Sequence, residues 1–191
     1  MDCDDVLSET MQSLLKRPPF SEEHIVKEDI TSYELYEIPK LSMDKPTSVD
    51  CFNHLFASEE FRNIQPVPGA FQKLQEWKSA GHTLIVVTGR SSQFQERTQE
   101  RVHQHFPGIF EDFIFANHNT DHELPKSMLC KQAGIQMMVD DSLDFAQELV
   151  QNAIPCFLLD NPRNRKWSSE RYPGVYKVKS RSEIDLSLLP N

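Results

Sequence analysis

Short apolar runs alternate with amphipathic segments along the second half of the chain. The run from Leu84 to Val87 is rich in β-branched residues and follows Gly81, a pattern typical of a buried parallel strand. Similar runs predict strands at 112–116, 136–139 and 155–159, and the segments between them predict helices at 70–80, 93–105, 126–133 and 143–152. The alternation predicts an α/β fold, a doubly wound, Rossmann-like parallel sheet with helices on both faces.

Residues 9–67 follow a different pattern, with recurrent prolines, short amphipathic stretches and no strong strand signal. We interpret this segment as a small helical cap inserted into a core formed by residues 1–8 and 68–191. An irregular loop is the alternative interpretation.

Polar residues that could bind a ligand or take part in catalysis stand directly after two of the predicted strands. Thr88 follows the first strand and the pair Asp140-Asp141 follows the third, so the carboxyl-end rule for parallel sheets places them at one edge. Asp2 and Asp4 are two residues apart, and in an extended segment both side chains face the same way. Two carboxylate pairs, a hydroxyl and an ammonium group match the needs of Mg²⁺-dependent phosphoryl transfer to an aspartate.

Composition narrows the function classes further. The 191 residues carry a net charge of -9, which argues against binding to a nucleic-acid backbone, and no stretch is long and apolar enough for a membrane span. The acidic N-terminal segment lacks the features of a signal peptide, and the four scattered cysteines favour free thiols in a reducing cytoplasm. We therefore expect a cytoplasmic protein that acts on a small phosphorylated molecule, with no nucleic acid or membrane as partner.

The segments DCDDVLSET, GHTLIVVTGR and PKSMLCKQAGIQMMVDDS resemble the motifs of the haloacid dehalogenase superfamily of aspartate-nucleophile phosphatases. The order of the motifs and their strand context are similar to the nucleotidase-like branch, whose members carry a helical cap after the first motif. The resemblance implies Mg²⁺-dependent hydrolysis of a small phosphate monoester, nucleotide-like or another metabolite, through an aspartyl-phosphate intermediate.

The resemblance also assigns roles by position. It implies that Asp2 is the nucleophile and Asp4 the general acid, with the Asp4 main-chain carbonyl as a metal ligand. It implies that Thr88 binds phosphate, that Lys126 steadies nucleophile and phosphate, and that Asp141 binds the metal. The implied metal set is therefore Asp2, Asp4 and Asp141.

Substrate contacts are expected from Thr88, Gly89, Arg90 and Lys126, although Arg90 could instead pair with an acid. Lys131 competes with Lys126 for the lysine role, but Lys126 fits better because it begins a helix just after Pro125.

The roles of several further residues remain open from the sequence alone. Asp5 stands where many members of the superfamily have glycine, and Asp140 and Asp144 are expected to support the metal ligand. His118 and His122 have the spacing of a metal pair on a helix, but their segment is predicted to be a loop, so substrate-edge or solvent positions are favoured. Arg163, Arg165 and Lys166 form a basic patch that favours a solvated loop, although this loop follows a strand end and could instead overhang the active site.

The resemblance also implies an apolar strand leading into the nucleophile, whereas only Met1 precedes Asp2 in this sequence. A sheet without that strand would expose the edges of its neighbours, so we expect a truncated sequence or a chain whose site is impaired. An inactive scaffold or regulatory protein is therefore one alternative to the phosphatase, and a phosphotransferase is another.

Overall fold

The structure is a computed structural model that describes residues 1–186. Its five strands are all parallel and form two groups. In the first group, β1 (Ile85–Thr88) pairs with β2 (Asp112–Phe115). In the second, β4 (Cys156–Leu159) lies between β3 (Met138–Asp140) and β5 (Val175–Val178).

The first two residues of the chain join these groups. The Met1 amine donates to the Ile85 carbonyl at 2.8 Å, and the Val87 N–H donates to the Met1 carbonyl at 2.8 Å. On the other side, the Asp2 N–H donates to the Val139 carbonyl at 2.9 Å. The spatial order is therefore β2, β1, residues 1–2, β3, β4, β5, and Asp2 lies at the centre of the sheet.

Behind Met1, β1 and β3 separate and leave a groove of about 470 Å³. Leu84 and Ile85 lie on one side of the groove, and Met137 and Val139 lie on the other. This groove occupies the place where the sequence led us to expect a leading strand, and Met1 and Asp2 supply only the carboxyl end of such a strand.

The α-helices cover the sheet and build the cap. They are α1 (Thr10–Leu14), α2 (Lys45–Ala57), α3 (Ala70–Ser79), α4 (Gln95–His105), α5 (Lys126–Gln132) and α6 (Leu143–Gln151). Short 3₁₀ helices span Lys27–Asp29, Leu35–Glu37, Pro39–Leu41, Glu59–Asn63, Ser92–Phe94, Pro162–Asn164 and Arg181–Glu183. No helix within residues 1–186 is long and apolar enough to cross a membrane.

Local sequence signals account for the helix that begins beside the second acidic pair. The Ser142 hydroxyl accepts a hydrogen bond from the Phe145 N–H and so caps the start of α6. Leu143, Ala146 and Leu149 recur at helical spacing and are buried against the sheet. The cap and this apolar face fix the start of α6, and with it the position of the preceding acids.

A separate apolar cluster holds the cap segment together. Phe20, Leu35 and Phe61 are fully buried in it, and Phe94 joins it from the 3₁₀ turn before α4. The expected helical character of this segment agrees with the observed helices, while the proposed domain boundaries at 8 and 68 remain a prediction.

The predicted parallel α/β architecture is confirmed, and the predicted strands and helices differ from the observed ones by one or two residues at their ends. The strand β5 was missed. Its four positions hold buried Val175 and Val178 at the ends and the more exposed Tyr176 and Lys177 between them. This arrangement has no regular alternation, so its pairing with β4 rather than its pattern makes it a strand.

Candidate active site

The residues predicted to take part in catalysis or metal binding converge at the carboxyl ends of the central strands. Thr88 ends β1, Asp140 ends β3, and Asp2 lies between them. Asp141 follows Asp140, and Lys126 begins α5. All five are buried, so their charges must be balanced within the protein.

Lys126 balances two of these carboxylates at once. Its Nζ donates to Asp2 Oδ1 at 2.7 Å and to Asp140 Oδ2 at 2.8 Å, and its side chain is only 1% exposed. Burial opposes the charged form of Lys126, but Asp140 and Asp2 outweigh it and raise the pKa well above its usual value. Lys131, the competing lysine, is exposed and donates to Asn152 Oδ1 instead.

Burial and the neighbouring charges shift the pKa of Asp2 in opposite directions. Burial raises the pKa of Asp2 to about 6, against the lowering effect of Lys126 and with a further raising effect from Asp140. The Asp4 N–H donates to Asp2 Oδ2 at 3.1 Å, while Lys126 holds Oδ1. Hydrogen bonds therefore orient both carboxylate oxygens of Asp2.

Three carboxylates are placed where they could hold a cation. One oxygen from each of Asp2, Asp140 and Asp141 lies within 4.8 Å of the others, and all three residues are buried. Hard carboxylate oxygens are the ligands that Mg²⁺ prefers, so this donor set fits that ion. Burial raises the pKa of Asp141 well above its usual value, and the positive charge of Arg163 opposes this effect.

The carboxylate of Asp4 points to a different partner. Arg90 donates to it through two nitrogens, Nε to Oδ2 at 3.0 Å and Nη2 to Oδ1 at 2.7 Å, and the Thr10 hydroxyl contacts Oδ1. Burial opposes ionisation of Asp4, but Arg90 and Thr10 together lower its pKa below the usual value. The Arg90 side chain is 1% exposed and also donates to Thr98, so its guanidinium is held by Asp4 and Thr98 at the wall of the cavity that lies under the cap.

Thr88 and Gly89 lie at the end of β1, beside Asp2. Thr88 is fully buried, and its Oγ1 accepts a hydrogen bond from the Arg90 N–H at 3.3 Å. A Cβ added at Gly89 would lie 3.4 Å from the Cβ of His118 and 3.5 Å from the hydroxyl of Tyr33. These distances are ordinary van der Waals contacts, so Tyr33 and His118 both lie directly against the backbone at Gly89.

Asp5 takes up the backbone conformation that glycine favours. Its φ is 54°, in the left-handed region where aspartate is among the better tolerated residues. Asp5 Oδ1 accepts from the Met11 N–H at 2.9 Å, and Asp5 Oδ2 contacts Arg163. The acid at this position therefore serves two contacts that glycine could not make.

A group of residues after β4 holds Asp141, and the sequence interpretation gave no role there to Asn161 or Asn164. Asn161 Nδ2 donates to Asp141 Oδ2 at 2.9 Å, and Asn164 Nδ2 donates to the Asp141 carbonyl at 3.1 Å. Arg163 Nε lies 3.3 Å from Asp141 Oδ2, and its side chain is 8% exposed, so the expected solvated position for Arg163 is wrong. The signal was available, because these residues come soon after the end of β4 at Leu159, and Thr88 likewise stands at the end of β1.

A cavity of about 140 Å³ separates these residues from the cap. Tyr33, Phe52 and Phe56 line it from the cap side, and His118 lines it from the core. His122 and Asp144 are exposed and do not line the cavity. Among the described residues, the histidine pair considered from the sequence is therefore divided, with only His118 at the site.

Comparisons with solved structures agree with this fold. The chain is similar to a predicted phosphatase from Clostridium acetobutylicum, at 16% identity and a TM-score of 0.68, over 95% of this chain and 93% of the other. It also resembles a haloacid dehalogenase-like family hydrolase from Streptococcus pneumoniae, at 11% identity and a TM-score of 0.66, over 94% and 91% of the chains.

A third similar structure is that of CbbY from Rhodobacter sphaeroides in complex with phosphate, at 17% identity and a TM-score of 0.58, over 95% and 93% of the chains. At these identities the likeness concerns the fold alone. No curated protein matches the chain.

The family comparison reaches further, because a single family model matches residues 1–184. Its description is "5' nucleotidase, deoxy (Pyrimidine), cytosolic type C protein". The match confirms the prediction of a nucleotidase-like phosphatase of the haloacid dehalogenase type, a phosphoric monoester hydrolase. The chain belongs to the family of cytosolic type C 5′-nucleotidases, NT5C.

Proposed function

We propose that the protein hydrolyses a small, nucleotide-like phosphate monoester in a Mg²⁺-dependent reaction, with Asp2 as the nucleophile. The observation that carries the proposal is the contact of Lys126 with both Asp2 and Asp140 at the carboxyl ends of the strands. It places a cation beside a carboxylate whose two oxygens are both held in direction, the arrangement that attack on a phosphate requires.

The metal would be held by Asp2, Asp141 and the main-chain carbonyl of Asp4, with Asp140 close by in the same acidic cluster. When bound, Mg²⁺ would offset the negative charge of the phosphate oxygens and so allow a carboxylate to approach phosphorus. Thr88 and Lys126 would bind the remaining phosphate oxygens, Thr88 through its hydroxyl and Lys126 through its ammonium group.

Asp2 Oδ2 would form the bond to phosphorus while the bond from phosphorus to the ester oxygen breaks. Asp4 would give a proton to that oxygen and release the alcohol. Water would then attack the aspartyl-phosphate, Asp4 would accept the proton of the water, and phosphate would leave with Asp2 restored.

The Arg90 contact favours the second half of this reaction, because it keeps Asp4 ionised and ready to accept a proton. For the first half, the substrate must loosen the contact so that Asp4 can carry a proton. Arg90 would then act through Asp4 rather than by binding phosphate, although the sequence placed it among the substrate contacts.

A nucleotide-like substrate is supported by the cavity and by the family. The family model describes nucleotidases of pyrimidine deoxynucleotides, and Tyr33, Phe52 and Phe56 offer apolar ring surfaces opposite the acidic cluster. The cavity of about 140 Å³ is smaller than the roughly 300 Å³ of a typical small ligand site. Substrate entry would therefore require the cap to move away from the core.

Phosphate release from a panel of nucleotides and simple monoesters, with Mg²⁺ and with EDTA, tests the proposal. We expect turnover only with Mg²⁺, at least a thousandfold loss in Asp2→Asn, and little loss in Asp144→Asn, whose carboxylate is exposed nearby. Turnover by Asp2→Asn at the wild-type rate would exclude Asp2 as the nucleophile. Adding a second alcohol and looking for its phosphate ester in the same assay distinguishes hydrolysis from phosphotransfer.

A further inference from the structure

His118 ties the cap to the core through two carboxylates. Its Nε2 lies 3.0 Å from Glu34 Oε1 of the cap, and its Nδ1 lies 2.8 Å from Glu123 Oε1 of the core. Carboxylate oxygens only accept hydrogen bonds, so both ring nitrogens donate at once only when the imidazole is protonated. The geometry therefore suits a cationic His118.

Aromatic contacts carry this link into the active site. Tyr33, the neighbour of Glu34, lies edge-on to Phe145 with ring centroids 5.1 Å apart, and the His118 ring lies 5.7 Å from that of Tyr33. Phe145 in turn packs against His118 at 5.4 Å and carries Lys126 Nζ over its face at 4.2 Å. Displacement of Glu34 would therefore displace Tyr33, which stands beside Gly89 and the catalytic lysine.

We propose that His118, held as a cation between Glu34 and Glu123, is a positioning residue that keeps Tyr33 and its cap segment closed over the substrate. The proposal rests on the phosphatase function proposed above. It assigns His118 an action through the cap, with no contact to the reacting phosphorus.

The charges around His118 set the direction of its pH dependence. Burial lowers the pKa of His118, but the hydrogen bonds that its ring donates to Glu34 and Glu123 outweigh burial and raise it above the usual value. The uncharged rings of Tyr33 and Phe145 cover its faces, and Lys45 acts on Glu123 from α2. Because the folded pKa is raised, the contact is complete at acidic pH and weakens as the pH rises through the raised pKa.

Kinetics of five variants over pH 5.5 to 8.5 test the proposal. At pH 6, we expect His118→Gln to raise KM for a turned-over monoester about tenfold with kcat nearly unchanged, since a charge-assisted contact between cap and core is lost. His118→Lys keeps a cation at alkaline pH, so its KM should stay low where that of the wild type rises. Glu34→Gln combined with His118→Gln should cost no more than either change alone. The exposed His122→Gln, from the same loop, is the matched control and should behave as the wild type.

Amide hydrogen exchange of residues 31–38 provides a readout that does not depend on turnover. We expect exchange in this segment to increase at least fivefold in Glu34→Gln and His118→Gln, and to increase in the wild type between pH 6 and 8. A wild-type KM and wild-type exchange in both variants would overturn the proposal, and so would identical pH profiles for the wild type and His118→Lys. If no monoester is turned over, the proposed function fails, while the exchange result still decides the role of His118. Should His118→Gln fail to fold, Glu34→Gln gives the same comparison, because its side chain is partly exposed.

Discussion

Replacing Lys126 with Met should destabilise the protein strongly, because it removes the one cation between two buried carboxylates. Asp2 and Asp140 lie 2.7 Å and 2.8 Å from Lys126 Nζ, and all three side chains are almost completely buried. Breaking a buried ion pair from one side costs about 3–5 kcal/mol. Methionine has a similar length and fills most of the same volume, so the loss of stability reflects the missing charge rather than a new cavity.

The cost should also depend on pH in a defined direction. The pKa of Asp2 is about 6 in the folded protein, above the usual value, so folding loses stability as the pH rises from about 4 through 6. Lys126 lowers the pKa of Asp2, so its removal raises that pKa further and extends the loss to higher pH. The difference in unfolding free energy between the wild type and Lys126→Met should therefore be larger at pH 8 than at pH 5.

Urea unfolding in EDTA, followed by the fluorescence of Trp77 and Trp167, measures both effects in the absence of metal. Lys131→Met is the matched control, since it removes an exposed lysine from the same helix and should cost less than about 1 kcal/mol. Equal costs for the two variants, or a cost for Lys126→Met that shrinks from pH 5 to pH 8, would refute the reasoning.

Three further changes test the surroundings of the site. Arg90→Gln removes the cation that lowers the pKa of Asp4, so the acidic limb of the kcat against pH profile should shift upward by about one unit. Arg163→Gln leaves Asp141 without its neighbouring positive charge, and calorimetric titration should show Mg²⁺ binding about tenfold tighter. An apolar five-residue strand fused before Met1 should fill the groove between β1 and β3 and raise the free energy of unfolding by about 2 kcal/mol over a Gly-Ser extension of equal length.

The sequence predicted those parts of the site that follow from strand ends. Thr88 and Asp140 lie where an apolar run stops, and parallel strands bring such positions to one edge, so their meeting with Asp2 required no knowledge of side-chain conformation. Lys126 was predicted from its place at a helix start after Pro125, and the structure places it between Asp2 and Asp140.

The contacts made by long side chains could not be predicted in the same way. The pairing of Arg90 with Asp4 spans 86 positions, and the guanidinium also lies 4.4 Å from the centre of the Phe56 ring and donates to the Thr98 hydroxyl. Arg163 looked like part of a basic loop because Arg165 and Lys166 follow it, yet Arg163 turns inward while those two remain exposed. The sequence shows that the loop is basic, but the positions of Asp5 and Asp141 in the fold determine that Arg163 is the cation that becomes buried.

The place of Asp2 in the sheet links these observations. The backbone of residues 1–2 joins β1 to β3 through three hydrogen bonds. The Asp2 carboxylate accepts a hydrogen bond on each oxygen, one from Lys126 Nζ and the other from the Asp4 N–H. Lys126 therefore bears on both the charge and the position of the proposed nucleophile. For this reason we expect Lys126→Met to lower stability and abolish turnover together, and a fused leading strand to recover only part of the lost stability and none of the turnover.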